Sequence, residues 1–110
     1  MFNKIVLIGP PGAGKTSIGK ALAKELKLSF VDSDTEIERV SNKKISEIFI
    51  DEGEAIFRKI EVEVVTKLLS EFEGVISLGG GAPINPEIQG FLTDAAYPVV
   101  FIESDSICSL

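Results

Sequence analysis

Apolar runs and helical stripes alternate along this chain, and each change of period marks a boundary. Ile5-Val6-Leu7-Ile8 is continuously apolar, which predicts a buried strand over about Lys4–Ile8. From about Lys15 to Leu26 the period becomes helical, with Ile18, Leu22 and Leu26 on one face. A short strand, Ser29–Val31, leads into Asp32-Ser33-Asp34 and then two short helical pieces near Thr35–Val40 and Ile45–Asp51. Gly53 separates these from a long helix, about Glu54–Phe72, whose Phe57, Ile60, Val64 and Leu68 should face a core. Glu54/Arg58 and Glu63/Lys67 are i,i+4 pairs that support it modestly. Val75-Ile76-Ser77-Leu78 reads as a third buried strand, ended by Gly79-Gly80-Gly81. Pro86 and Glu87 open another short helix, Val99–Ile102 reads as a fourth strand, and Ser104-Asp105 as a further helix start.

Strands separated by helices predict parallel β-α-β units, and hence an α/β fold with a parallel sheet of about four strands. Ligands of such sheets bind at the carboxyl ends of the strands. Three unusual segments should therefore meet on one rim: the turn after strand one, Asp32/Asp34 after strand two, and Gly79–Gly81 after strand three. The length of 110 residues allows one domain, 1–110, with no internal repeat or linker.

The turn after strand one is Gly9-Pro10-Pro11-Gly12-Ala13-Gly14-Lys15-Thr16, which matches the Walker A phosphate loop at every fixed position. The glycines let backbone N–H groups curl inward, and the following helix adds a partial positive charge beneath a bound phosphate. Gly9, Gly12, Ala13, Gly14, Lys15, Thr16 and Ser17 form the expected nucleotide-binding set. Lys15 would reach the β/γ-phosphates of ATP, and Thr16 would ligate Mg²⁺.

Composition narrows the chemistry. Eleven basic and 17 acidic residues give a net charge of −6, which argues against nucleic acid or an anionic membrane surface as partner. No apolar run approaches the ~20 residues that span a bilayer. The one cysteine, Cys108, suits a reducing cytoplasm, and the absence of histidine rules out Ser-His-Asp chemistry and ordinary zinc sites.

Asp32 and Asp34 lie two residues apart. In an extended segment both carboxylates would point the same way, toward the phosphate site. One would hold Mg²⁺ and the other would take a substrate hydroxyl proton; the alternative is a solvated turn or a helix cap. Arg58 suits a substrate carboxylate, or equally a surface ion pair with Glu54. Gly79, Gly80 and Gly81 suit close approach of backbone to a ligand, or a plain flexible turn. No carboxylate stands at Ser77 or Leu78, where many phosphate-loop proteins place an acidic Mg²⁺ ligand; this moves the metal role toward Thr16 and Asp32.

Taken together these residues resemble shikimate kinase. The resemblance rests on Gly9–Thr16, Phe30-Val31-Asp32-Ser33-Asp34 with Ile37-Glu38, Ile45-Ser46-Glu47-Ile48-Phe49, Gly53-Glu54 with Phe57-Arg58 and Glu61, and Ser77–Gly81, in family order from residue 1 to about 103. It implies a three-layer α/β/α phosphate-loop kinase core with strand order 2-3-1-4. It also implies transfer of the γ-phosphoryl of ATP to the 3-hydroxyl of shikimate, on the route to chorismate and the aromatic amino acids. By resemblance, Asp34, Arg58, Gly79, Gly80 and Gly81 contact shikimate, and Lys15 and Asp34 are catalytic. Thr16 and Asp32 serve Mg²⁺. Family members are usually monomeric and continue past this point with an arginine-bearing lid, a second carboxylate-binding arginine, an adenine-contacting loop, a fifth strand and a final helix. Those parts are expected to be missing here, which leaves two further readings: a nucleotide-binding fragment that needs a complementing chain, or that self-associates, and a related kinase of a sugar acid such as gluconate.

Overall fold

The strands form where the apolar runs predict, and all pair in parallel. The structure, a computed structural model, describes residues 3–9, 15–79, 82–93 and 97–102. Strand β1 spans Lys4–Ile8, β2 Phe30–Asp32, β3 Gly74–Ser77 and β4 Val99–Phe101. They form one sheet of order β2-β3-β1-β4. Helix α1 is Lys15–Leu26, α2 Ser33–Ser41, α3 Ile45–Asp51, α4 Glu54–Glu71 and α5 Pro86–Thr93, with a 3-10 turn at Ala82–Ile84. The expected helix start at Ser104-Asp105, and Cys108, lie outside the described residues.

Alternation along each strand sorts side chains between two cores. Leu7 and Val75, with Ile5 and Phe30 against them, meet Ala23 and Leu22 of α1 on one face. On the other face Val6 and Ile76, with Val31, pack against α2, α3, α4 and α5 through Ile37, Ile48, Phe57, Val64, Val65, Leu68 and Ile88. The result is three layers, helix–sheet–helix, as the alternation of elements predicts.

Three local details differ from the sequence reading. Leu26 is 46% exposed, and the buried residue near the end of α1 is Ala23, because the helix presents its smaller residues where it lies tight on the sheet. Helix α2 starts at Ser33 rather than Thr35, because the Asp32 side chain caps it. Of the two predicted helix pairs, Arg58 reaches Glu54 at 3.6 Å, whereas Lys67 lies with Glu36, Arg39 and Phe72 along a cleft of about 270 Å³ between α2 and α4.

Strand β4 is the outermost strand of the described sheet, with Val100 40% and Phe101 59% exposed. Its far end passes close to the turn after β1: Ile102 donates its N–H to the Ile8 carbonyl at 2.7 Å.

Candidate functional site

Register places the ends of three strands side by side. Leu7 of β1 and Asp32 of β2 both pair with Ser77 of β3. The segments that leave these ends are Gly9, Ser33-Asp34 and Leu78-Gly79, so the described parts of the predicted rim meet.

Gly9 has φ of +152°, and a Cβ there would stand 2.2 Å from the Ile102 carbonyl oxygen. Glycine is required at the mouth of the loop by both backbone angle and space. Gly12, Ala13 and Gly14 lie outside the described residues. Helix α1 opens at Lys15, and Thr16 and Ser17 are exposed on its first turn.

Asp32 serves two roles with its two oxygens. Oδ1 accepts from the backbone N–H of Asp34 at 2.9 Å and of Thr35 at 3.3 Å, which starts α2. Oδ2 accepts from the Thr16 hydroxyl at 3.3 Å. One carboxylate therefore makes both the cap of α2 and the contact with Thr16.

The extended geometry expected for Asp32 and Asp34 does not hold. The cap turns the chain into α2 at Ser33, so Asp34 sits on the first helical turn and two residues no longer bring the side chain back to the same face. Asp32 turns to Thr16, while Asp34 lies against Gly79. A Cβ on Gly79 would meet Asp34 Oδ1 at 2.4 Å. The close approach that glycine permits is thus to the Asp34 carboxylate. Gly80 and Gly81 lie outside the described residues.

Ser33 had no role in the sequence reading. It is fully buried, and its hydroxyl accepts from the Gly79 N–H at 2.9 Å. It pins the turn after β3 to the start of α2, next to Asp34. Its one sequence signal is a small hydroxyl residue between two carboxylates.

Arg58 is half-buried on α4, and both its carboxylate partners come from its own helix. Its Nη1 donates to Glu61 Oε1 at 2.9 Å, and its Nε lies 3.6 Å from the exposed Glu54. The Glu61 side chain is 2% exposed, so this carboxylate, rather than Glu54, is the anchor. The guanidinium also lies 5.1 Å from the Phe57 ring, which stacks on Phe49 at 4.7 Å. Glu61 was legible only as the last residue of Phe-Arg-x-x-Glu, three places along the helix. Arg58 lines a cleft of about 450 Å³ with Lys59, Asn85 and Glu87, on the side of α4 that faces α5.

Among the described residues no group of three or more acidic or cysteine side chains gathers to hold a metal by itself. The Thr16 hydroxyl and Asp32 carboxylate nevertheless supply hard oxygen donors side by side. That suits Mg²⁺, which uses one or two protein oxygens and completes its shell with water and phosphate.

A family model described as shikimate kinase matches residues 11–107 of the chain. A shikimate kinase of Thermobifida fusca is 48% identical over 98 residues, covering 89% of this chain and 56% of the relative. One from Mycobacterium avium is 48% identical over 103 residues, covering 94% and 57%. Among solved structures, the shikimate kinase of Acinetobacter baumannii in complex with shikimate superimposes with a TM-score of 0.87 at 41% identity, over 93% of this chain and 56% of that one. The chain thus spans somewhat more than half the length of the relatives it matches.

Proposed function

The chain belongs to the shikimate kinase family, and on that premise we propose that its site binds ATP with Mg²⁺ and transfers the γ-phosphoryl group to the 3-hydroxyl of shikimate. One observation carries the reading: the Thr16–Asp32 hydrogen bond and the Asp34–Gly79 contact lie at the ends of adjacent strands on one rim. The pair proposed for phosphate and metal and the carboxylate proposed for substrate are thereby neighbours. The Acinetobacter baumannii relative, solved with shikimate, supports this substrate, and the family match favours it over a sugar acid such as gluconate.

Each residue then has a task. Lys15 opens α1, where the helix N-terminus favours phosphate, and its ammonium would neutralise β/γ-phosphate charge. Thr16 and Asp32 would hold Mg²⁺, which when bound supplies positive charge to the phosphate oxygens. Asp34 would accept the proton of the attacking hydroxyl, held in place by the first turn of α2 and by Gly79. Arg58 would bind the substrate carboxylate, its guanidinium oriented by Glu61. Gly80 and Gly81 would line the same site. Among the described residues no helix is long and apolar enough to cross a membrane. ATP as co-substrate and the lone cysteine favour the cytoplasm as its place of work.

Calorimetric titration with ADP and Mg²⁺ tests the nucleotide half. Lys15→Ala is expected to weaken binding at least ~10-fold, as befits a lost charge-assisted contact. Equal affinity in wild type and variant would remove Lys15 from the site.

A second reading, a chain that works only with a complement, has its own observation. The outer edge of β4 is apolar, with Val100 and Phe101 exposed. Such an edge pairs readily with another chain. The net charge of −6 opposes this only in part, since repulsion is screened beyond ~8 Å at physiological salt. Light scattering across a concentration series is expected to show self-association, reduced by Val100→Lys. Monomers at every concentration in both proteins would show that the edge is not a pairing surface.

A further inference from the structure

Ser77 is the one side chain among the described residues whose buried polar atom has no hydrogen-bond partner. It is 1% exposed, at the last position of β3. Burying a hydroxyl unpaired is costly, and Val75, two residues earlier on the same face, shows that the strand accepts an apolar side chain there.

Its surroundings say what the hydroxyl awaits. Ser77 shares a face with Val75, and Val75 packs with Leu7 and Ala23 beneath α1. In a parallel ladder, residues in register project to the same side. Asp32 is the register partner of Ser77 on β2, and Leu7 its partner on β1. Ser77 and Asp32 therefore project together toward the N-terminal turn of α1. There Thr16 already donates to Asp32. The unpaired hydroxyl thus belongs to the register neighbour of Asp32, whose carboxylate with Thr16 offers the two oxygens that fit a divalent cation, at the strand end where many phosphate-loop proteins carry a carboxylate.

We propose that Ser77 is a positioning residue for the divalent cation of this site, its hydroxyl oxygen accepting a hydrogen bond from a water that the cation carries. The inference rests on the nucleotide-and-Mg²⁺ reading above. Mg²⁺ keeps several waters and binds through few protein oxygens, so groups that orient those waters shape its affinity. A neutral hydroxyl does this without adding a third negative charge beside Asp32 and the phosphates.

The test uses Mn²⁺ as the probe, with ADP, and reads free Mn²⁺ by electron paramagnetic resonance. Ser77→Ala is expected to weaken Mn²⁺ binding to the ADP complex by roughly 10-fold. ADP affinity in EDTA should be unchanged, and the melting temperature unchanged or raised, since a buried unpaired hydroxyl is removed. Ser77→Thr, which keeps the hydroxyl on a β-branched residue suited to a strand, should retain wild-type Mn²⁺ affinity. Wild-type Mn²⁺ affinity in Ser77→Ala would overturn the proposal. So would an equal loss of ADP affinity in EDTA, which would mark a structural role only. A wild-type chain that binds ADP but no Mn²⁺ would instead overturn the metal reading of Thr16 and Asp32, and the Ser77 inference with it.

Discussion

Arg58→Ala is expected to damage the protein twice, once in stability and once in substrate binding. Its guanidinium is the charge partner of a Glu61 carboxylate that is 2% exposed. Removing one member of a fully buried pair costs ~3–5 kcal/mol, because the other charge remains without compensation. Arg58 itself is 38% exposed, so water reaches the vacated position and the cost falls to about 2 kcal/mol. That corresponds to a drop in melting temperature on the order of 10 °C for a chain of this size. Shikimate affinity should fall by roughly 10–100-fold, the worth of a charge-assisted hydrogen bond at ~1.5–3 kcal/mol. Adding Glu61→Leu removes the stranded charge and should restore most of the stability, while shikimate binding stays lost. Denaturant titration and calorimetry on the single and double variants separate the two effects. If the double variant recovered shikimate binding, Arg58 would not be the carboxylate partner. If Arg58→Ala melted like wild type, Glu61 would not depend on it.

Gly79→Ala carries the second large effect, through space rather than charge. The three atoms a Cβ there would meet most closely all belong to the Asp34 carboxyl group: Oδ1 at 2.4 Å, Cγ at 2.9 Å and Oδ2 at 3.0 Å. A methyl group cannot share that volume, so the carboxylate must move. The clash is with the end of a side chain rather than with backbone, which keeps the folding cost to about 1 kcal/mol, a common value for a point change. With Asp34 as the proposed proton acceptor the functional cost is larger, because displacing such a group by about 1 Å is worth roughly 100-fold in rate. The expected result is ADP binding like wild type, shikimate affinity at least ~10-fold weaker, and turnover of the family reaction lowered by about two orders of magnitude. The Gly79 N–H bond to Ser33 remains available, so the turn after β3 should stay in place. Shikimate binding unchanged in Gly79→Ala would mean that Asp34 does not serve the substrate from its present position.

Much of the frame was legible before any coordinate. The runs at Ile5–Ile8 and Val75–Leu78 became strands, the latter as Gly74–Ser77, and of the stripe through Phe57, Ile60, Val64 and Leu68 all but the half-buried Ile60 became the buried face of α4. What escaped were events at the ends of elements. The start of α2 moved from Thr35 to Ser33 because one carboxylate oxygen of Asp32 captured two backbone N–H groups. Leu26 looked like the end of a buried stripe and is exposed, because periodicity ranks faces without saying where the sheet ends. Helical spacing paired Arg58 with Glu54, and only burial shows that Glu61 is the anchor.

The sequence by itself determined the strand–helix alternation, the identity of the phosphate loop and the types of charged group around it. These are written in contiguous residues, where local sterics and burial decide the outcome. The tertiary structure alone decided that Asp32 divides its oxygens between Thr16 and the cap of α2, and that Gly79 is small for the sake of Asp34. It alone showed that Ser33 holds Gly79 and that Ser77 is left unpaired in register with Asp32. Ser33 and Gly79 are 46 residues apart in the chain and 2.9 Å apart in space. Such contacts are set by strand order and register, which bring distant residues within reach of a hydrogen bond, and no local spacing encodes them.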